Sequence, residues 1–374
     1  METKSLAFEL PEERNAGAPP ERRGLRRDRV RLMVQSRADG TVRHTSFHKL
    51  ADELRPGDCL VLNESRTIPA SLRAVRFVGA IPVDEVEVRL ARRTGEAEWE
   101  ALLLHAGGFS GAIADGGTVS SAEGGFGTAT ALPSPAEPIA GGTETLRFSP
   151  ALYAEAERRA GSPFVALRFN RGGRELFADI YALGEPVRYE YTERPWDLDY
   201  YQTVYGTVPG SIEMPSAGRA FTWEMLFALR RKGVAIAYVQ LHTGLSYLYG
   251  SRLDPADNAE SYAVSAAAAE TVNRAKRDGG RIIAVGTTVV RCLESAADAN
   301  GSLRPGSGRT SLYVDEAYPL RIADGLMSGL HEPEASHLHM LSAFVGGKAL
   351  RHAYEEAIRE RYLWHEFGDI HLMV

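Results

Sequence analysis

An apolar run that stops at a glycine and resumes as a helix constrains this chain more than any other stretch. Residues 284–295 read Ala-Val-Gly-Thr-Thr-Val-Val-Arg-Cys-Leu-Glu-Ser. The run 282–285 has the unbroken apolar character of a strand buried on both faces. Gly286 ends it, Thr287 and Thr288 then offer hydroxyls and free backbone N–H groups, and Arg291 and Glu294 follow at helical spacing. A strand that turns into a helix through Gly-Thr-Thr makes a polar cup at a sheet's carboxyl edge, where open α/β sheets place ligands. The same residues also suit a purely structural reading, with two helix caps and a surface i,i+3 ion pair between Arg291 and Glu294.

With 374 residues the chain exceeds one ordinary domain, so two lobes are the default expectation and three the alternative. Its 44% hydrophobic and 25% charged residues are those of a globular protein with a large core. A net charge of −6 gives no overall attraction for phosphate backbones. Arg22, Arg23, Arg26, Arg27 and Arg29 cluster near the start and read either as a local basic strip or, the favoured reading, as a solvated, partly disordered lead-in. Cys59 and Cys292 stand alone and far apart, which speaks against a disulfide framework or structural zinc and for a reducing cytoplasm. No window approaches the roughly 20 apolar residues that span a bilayer.

The fold class expected is a mixed α/β main domain (1–67 and 170–374) interrupted by a small inserted β-barrel domain (68–169). In the main part, 30–34 and 40–48 form a hairpin turned at Asp39-Gly40, and 50–54 a short helix before the strand 59–62. Helices are predicted over 221–232 with Thr222 as N-cap, 265–278, 288–297, 338–344 and 349–361. Strands are predicted over 234–241, 281–285, 312–314 and 370–374. The insert carries alternating segments at 74–78, 83–90, 99–104 and 145–148, around a Gly/Ala/Ser-rich flexible loop at 107–142.

Several segments together resemble the S-adenosylmethionine:tRNA ribosyltransferase-isomerase family of queuosine biosynthesis. They are Phe8-Glu9-Leu10-Pro11, Arg55-Pro56-Gly57-Asp58, Asn63-Glu64-Ser65-Arg66-Thr67-Ile68-Pro69-Ala70 and Tyr201-Gln202-Thr203-Val204-Tyr205. Pro215-Ser216-Ala217-Gly218, Leu241-His242-Thr243-Gly244-Leu245, the Gly286 turn, Ser342-Ala343-Phe344-Val345-Gly346 and Gly368-Asp369 complete the set. The resemblance implies S-adenosylmethionine as substrate, donating its ribosyl portion while adenine and methionine leave. Its positive sulfur acidifies adjacent C–H bonds and opens each attached carbon to displacement. Such a site needs a base, donors for the methionyl carboxylate and polar groups for ribose and adenine.

The chain also departs from the family pattern. Arg219-Ala220-Phe221 stands where the family carries Leu-His-Phe, and 257–262 lack both histidines of a His-x-Met-His-x-Glu segment. Gly329-Leu330-His331-Glu332-Pro333 replaces Asn-Phe-His-Leu-Pro, and Glu213 replaces a small residue. Glu213, His242 and His331 are the catalytic candidates. Glu213 is a base, an ammonium ligand or a solvated loop carboxylate, and each histidine either faces ligand or is satisfied in the core. Candidates for binding S-adenosylmethionine are Arg66, Tyr201, Gln202, Pro215, Ser216, Ala217, Gly218, Gly244, Gly286, Thr287, Thr288, Arg291 and Glu294. Arg291 would clamp a carboxylate, Arg66 is otherwise a hinge ion pair, and Tyr201 stacks on adenine or belongs to the core. His331, Glu332, Glu334, His337 and His339 offer no open three-ligand pattern, so no metal is expected.

Lost imidazoles and gained charges point to an enzyme of this family repurposed for a small-molecule acceptor, with tRNA the less favoured partner. Ribosyl transfer to an amine is one version. The other closes a cyclopropane amino acid by γ-displacement and releases methylthioadenosine without pyridoxal phosphate. The alternatives are the tRNA ribosyltransferase-isomerase itself and a non-catalytic binding module for S-adenosylmethionine or tRNA. Oligomeric state is not legible in the chain.

Overall fold

The computed structural model describes residues 8–105, 135–136, 144–159, 161–189, 191–192, 194–245, 247–248, 251–252, 259–333 and 335–374. The chain opens on the hairpin β1 (Arg31–Gln35) and β2 (Val42–Ser46), then α1 (Leu50–Glu53), β3 (Cys59–Asn63) and β4 (Ser65–Thr67). Next come β5 (Ser71–Val78), β6 (Ile81–Arg93), β7 (Glu98–His105), β8 (Glu144–Arg147), β9 (Tyr153–Arg158), β10 (Val165–Phe169) and α2 (Gly173–Leu183). The remainder runs β11 (Val208–Ser211), α3 (Trp223–Arg231), β12 (Ala235–Leu241), β13 (Tyr247–Leu248), β14 (Ser251–Arg252), β15 (Glu260–Val264), α4 (Ala266–Arg277) and β16 (Ile282–Val285). It ends with α5 (Thr287–Ser295), β17 (Gly306–Thr310), β18 (Gly325–Gly329), α6 (Ser336–Val345), α7 (Gly347–Arg359) and β19 (Ile370–Met373).

Two compact units divide the chain. One comprises Met1–Ile68, Arg188–Leu245 and Leu253–Val374, the other Pro69–Val187 and Ser246–Arg252. In the second, β10-β7-β6-β5-β8-β9 close into a barrel, so the mixed α/β class with a β-barrel holds. The predicted flexible loop at 107–142 lies outside the described residues apart from 135–136. In the first unit a nine-stranded sheet has the order β17-β15-β12-β3-β16-β18-β19-β1-β2. β12, β3, β16 and β18 are mutually parallel, so their carboxyl ends share one edge.

Apolar faces explain how the sheet is covered. β3 and β16 are buried throughout, as their uninterrupted apolar runs predict. Helices α4 to α7 seal one face, with Val272, Val289, Leu293, Leu341 and Leu350 in its core. On the other face Met225, Leu226 and Leu229 of α3 pack with Leu32, Leu60 and Leu62. Thr222 caps α3 by accepting from Met225 N at 3.3 Å, and Ser265 caps α4 through Ala268 N at 3.1 Å. Among the described residues no helix is long and apolar enough to cross a membrane.

Two local expectations are corrected. Residues 312–314 form no strand; the edge strand is β17, paired antiparallel with β15. Val314 and Leu312 are apolar because they plug the core from a loop. The arginine cluster is only in part the solvated lead-in expected: Arg22, Arg26 and Arg29 are exposed, but the segment is tied to the main unit. Arg23 donates to the Phe367 carbonyl at 2.6 Å, Arg27 to the Gln202 carbonyl at 3.3 Å, and Arg22 lies over the Trp196 and Tyr200 rings.

Candidate functional site

The carboxyl ends of β3, β12, β16 and β18 carry the candidate residues. At the end of β3, Asn63 is buried and ties three elements together: its amide donates to Leu241 O at 2.9 Å and Thr288 Oγ1 at 3.3 Å. Its own oxygen accepts from Leu241 N and Ser65 N, both at 3.1 Å. Asn63 therefore sets the spacing of β12 and the start of α5, a role its place in a family-like segment did not announce. At the end of β16, Gly286 takes φ +99°, where a side chain would be strained, and a Cβ there would crowd Thr288 Oγ1 at 3.3 Å. Its N–H donates to Met327 O at 2.8 Å, joining β16 to β18.

At the end of β12, His242 Nδ1 bonds Ser65 Oγ at 2.7 Å, and Ser65 bonds Ser211 Oγ at 2.6 Å. A Cβ on Gly210 would fall 2.6 Å from that imidazole, so only glycine leaves room for the ring. The following residues cross the loop that carries Glu213. Thr243 Oγ1 donates to Glu213 O at 2.6 Å, and Ile212 N donates to Thr243 O at 2.8 Å. The Glu213 carboxylate accepts from the Tyr189 hydroxyl. At the end of β18, His331 Nε2 bonds Ser328 Oγ at 2.7 Å and the ring stacks on His337, with centroids 4.4 Å apart.

The loop 215–218 sits between these ends. Ser216–Gly218 forms a single 3-10 turn that leaves Ala217 and Gly218 buried. A Cβ on Gly218 would meet the Tyr205 hydroxyl at 1.9 Å, which fixes glycine there. Ala217 lies beside Gly286 and Ser216 beside Gly329. Glu213, Pro215, Ser216, Ala217, Gly218, His242, Gly286, Thr287, Thr288 and His331 thus gather at one edge.

Other candidates are turned to different work. Glu294 is fully buried: Oε1 accepts from Ile322 N at 2.9 Å and Ala323 N at 3.1 Å, and Oε2 from Arg321 N at 2.9 Å. It holds the 321–323 turn and is no ligand group, and it makes no i,i+3 pair with Arg291. Arg291 instead pairs with the chain's own Glu260 and donates to Thr310 O at 3.1 Å, so its guanidinium ties α5 to β15 and β17. Glu260 also accepts from Gly244 N at 3.1 Å. Burial raises the Glu260 pKa despite Arg291 and that amide.

Gln202 is spent on Thr67, accepting from its N–H at 3.2 Å and donating to its carbonyl at 2.9 Å. Tyr201 belongs to the core with Trp196, Met214 and Phe367 and is not free to stack on adenine. Arg66 donates to Gly206 O at 3.3 Å and, among the described residues, forms no hinge ion pair. Arg219, the guanidinium that stands in the Leu-His-Phe segment, is buried against Glu21 at 2.8 Å and donates to Tyr200 O at 2.7 Å. Its charge is absorbed by the N-terminal arm rather than offered to a substrate.

The sequence reading overlooked a second acidic group. Glu366 accepts the Tyr191 hydroxyl at 2.6 Å on both oxygens, and the Tyr191 ring stacks on His365 at 3.7 Å. Burial pushes the Glu366 carboxyl above the usual carboxylate range despite the hydroxyl. His337 and His339 part company, one stacked on His331 and the other bonded to Tyr313; Glu334 lies outside the described residues. Among the described residues no group of three His, Cys, Asp or Glu side chains is gathered for a metal ion.

The profile of the family described as "Queuosine biosynthesis protein" matches residues 3–373. The chain is 35% identical to the S-adenosylmethionine:tRNA ribosyltransferase-isomerase of Carboxydothermus hydrogenoformans, over all of both chains. It is 33% identical to that of Caldanaerobacter subterraneus subsp. tengcongensis, again over all of both. Among solved structures, the S-adenosylmethionine tRNA ribosyltransferase of Thermotoga maritima is similar at 27% identity and a TM-score of 0.52, covering 98% of this chain and 99% of that one.

Proposed function

Because this chain belongs to the queuosine biosynthesis protein family, we propose that it consumes S-adenosylmethionine at the shared carboxyl edge of β3, β12, β16 and β18 and passes the ribosyl portion to tRNA. The observation that carries this reading is the convergence of the family-like segments on one edge. Asn63, the 215–218 turn, His242, Gly286 and His331 come from five separate parts of the chain and meet there. Full-length relatives that bear one activity in their names support tRNA as acceptor, against the expectation that it is the less favoured partner.

The residues suit the chemistry. The amides at the start of α5 and the Thr287 and Thr288 hydroxyls suit the methionyl carboxylate or ribose oxygens. A base beside the sulfonium removes a proton from carbon attached to the positive sulfur, and Glu213 and His242, carried on segments joined through Thr243, are the candidates for that work. Adenine and methionine leave.

A second reading rests on Glu213 with its Tyr189 partner, which stands where the family carries a small residue. There the carboxylate takes the α-proton of the methionyl part. The resulting carbanion attacks the γ carbon, and the C–S bond breaks with its electron pair to sulfur. A cyclopropane amino acid and neutral methylthioadenosine result, with no external acceptor.

One incubation with labelled S-adenosylmethionine, with and without tRNA, decides between them. Adenine and methionine appearing only with tRNA is the expected result. Methylthioadenosine without tRNA would replace it by the second reading. Binding without turnover under either condition would leave a non-catalytic module.

A further inference from the structure

Two tyrosines two residues apart each give a hydroxyl to a different glutamate. Tyr189 donates to Glu213, and Tyr191 to Glu366. Their rings lie 5.9 Å apart at an interplanar angle of 25°, and Tyr191 also stacks on His365 at 3.7 Å and 7°. Glu213 comes from the loop bonded to Thr243, beside His242. Glu366 follows His365, whose N–H donates to Leu330 O at 3.4 Å, beside His331. This aromatic and acidic group therefore reaches from the end of β12 to the end of β18.

Its charge is incomplete. Among the described residues no arginine or lysine pairs with Glu366, whose one hydrogen-bonded side-chain partner is the neutral Tyr191 hydroxyl. The charged group acting on it is Glu332, of like sign. A half-buried carboxylate without a positive partner is costly, and the cost is relieved by a proton or by a cation brought from outside. A sulfonium is such a cation. It carries a fixed charge and no N–H to donate, so carboxylates and aromatic faces recognise it through their field alone.

Resting on the reading of this edge as the place where S-adenosylmethionine is consumed, we propose that Glu366, held by Tyr191, is a specificity-determining residue that recognises the sulfonium charge and separates it from a neutral thioether. Calorimetric titration of the full chain with S-adenosylmethionine and with S-adenosylhomocysteine, which lacks that charge, tests it. The parent is expected to bind the sulfonium about tenfold more tightly than the thioether. Glu366→Gln keeps an acceptor for Tyr191 but removes the charge, and should abolish that preference while leaving the thioether's affinity within about twofold.

Equal affinity of the parent for the two ligands overturns the proposal, as does a preference that survives Glu366→Gln. A parent that binds neither ligand instead sinks the assignment of the edge itself, a separate result. If Glu366→Gln does not fold, the double variant Tyr191→Phe/Glu366→Met takes its place, because it leaves neither partner buried and unsatisfied. The same loss of preference is expected from it, and persistence of the preference overturns the proposal.

Discussion

Glu213 and His242 hang from crossing segments pinned at Thr243, yet they are held differently. The imidazole is fixed from Nδ1 through Ser65 and Ser211, and the carboxylate by a tyrosine hydroxyl. A base needs such fixing to meet one proton in one geometry. Glu213→Ala should lower turnover of S-adenosylmethionine by more than about tenfold, equivalent to more than ~1.4 kcal/mol of barrier. Product release in single-turnover assays measures it, and a smaller loss removes Glu213 from the reaction. His371 makes a different prediction. It is fully buried, and desolvation lowers its pKa to about 3. Unfolded, it titrates near about 6.5 and so binds the proton that the folded state refuses. Its share of stability is whole above pH ~6.5 and drains as pH falls toward 3, by up to ~1.4 kcal/mol per pH unit. Urea midpoints at pH 7 and 5 should fall less for His371→Phe than for the parent. Equal falls would show that another group governs acid sensitivity.

At the scale of elements, the turn around Gly286 was legible because an apolar run, a glycine and two threonines force one local solution. The start of α3 was legible because Thr222 supplies its cap, and Thr222→Ala should cost about 1 kcal/mol in denaturant unfolding. Partners across the fold were not legible. Helical spacing puts Arg291 and Glu294 near one another on α5, but it says nothing of Glu260 on β15 or of the 321–323 amides that claim them. Tyr191 and Glu366 lie 175 positions apart, so no local pattern joins them. Strands β9, β10 and β18 and helix α2 also went unread. β18 contains glycine at both ends, and β9 alternates alanine with charge, so neither carries the β-branched run that marks a strand. Glu294→Ala tests the structural role found for that residue. Removing a buried carboxylate that serves three backbone amides leaves them unsatisfied, and should destabilise the fold by about 3–5 kcal/mol. Thermal or urea unfolding reads the loss. Near-parental stability with weakened S-adenosylmethionine binding would return Glu294 to the ligand site.

For the whole molecule, the arrangement of cores decides how ligand binding is felt. Every residue proposed for S-adenosylmethionine lies in the unit containing the nine-stranded sheet, and the closed barrel has a separate core. A ligand stabilises only what must unfold to release it, by about 2.7 kcal/mol when present at 100 times its Kd. Scanning calorimetry should therefore resolve a transition that S-adenosylmethionine moves upward and a second, belonging to the barrel, that it leaves in place. The shift should follow the logarithm of ligand concentration, and Glu366→Gln should shrink it in proportion to its lost affinity. Limited proteolysis with mass spectrometry assigns each transition to its residues. If the barrel's transition moves with ligand and the other stays, the nucleotide is held by Pro69–Val187, and a site at the ends of β3, β12, β16 and β18 is refuted.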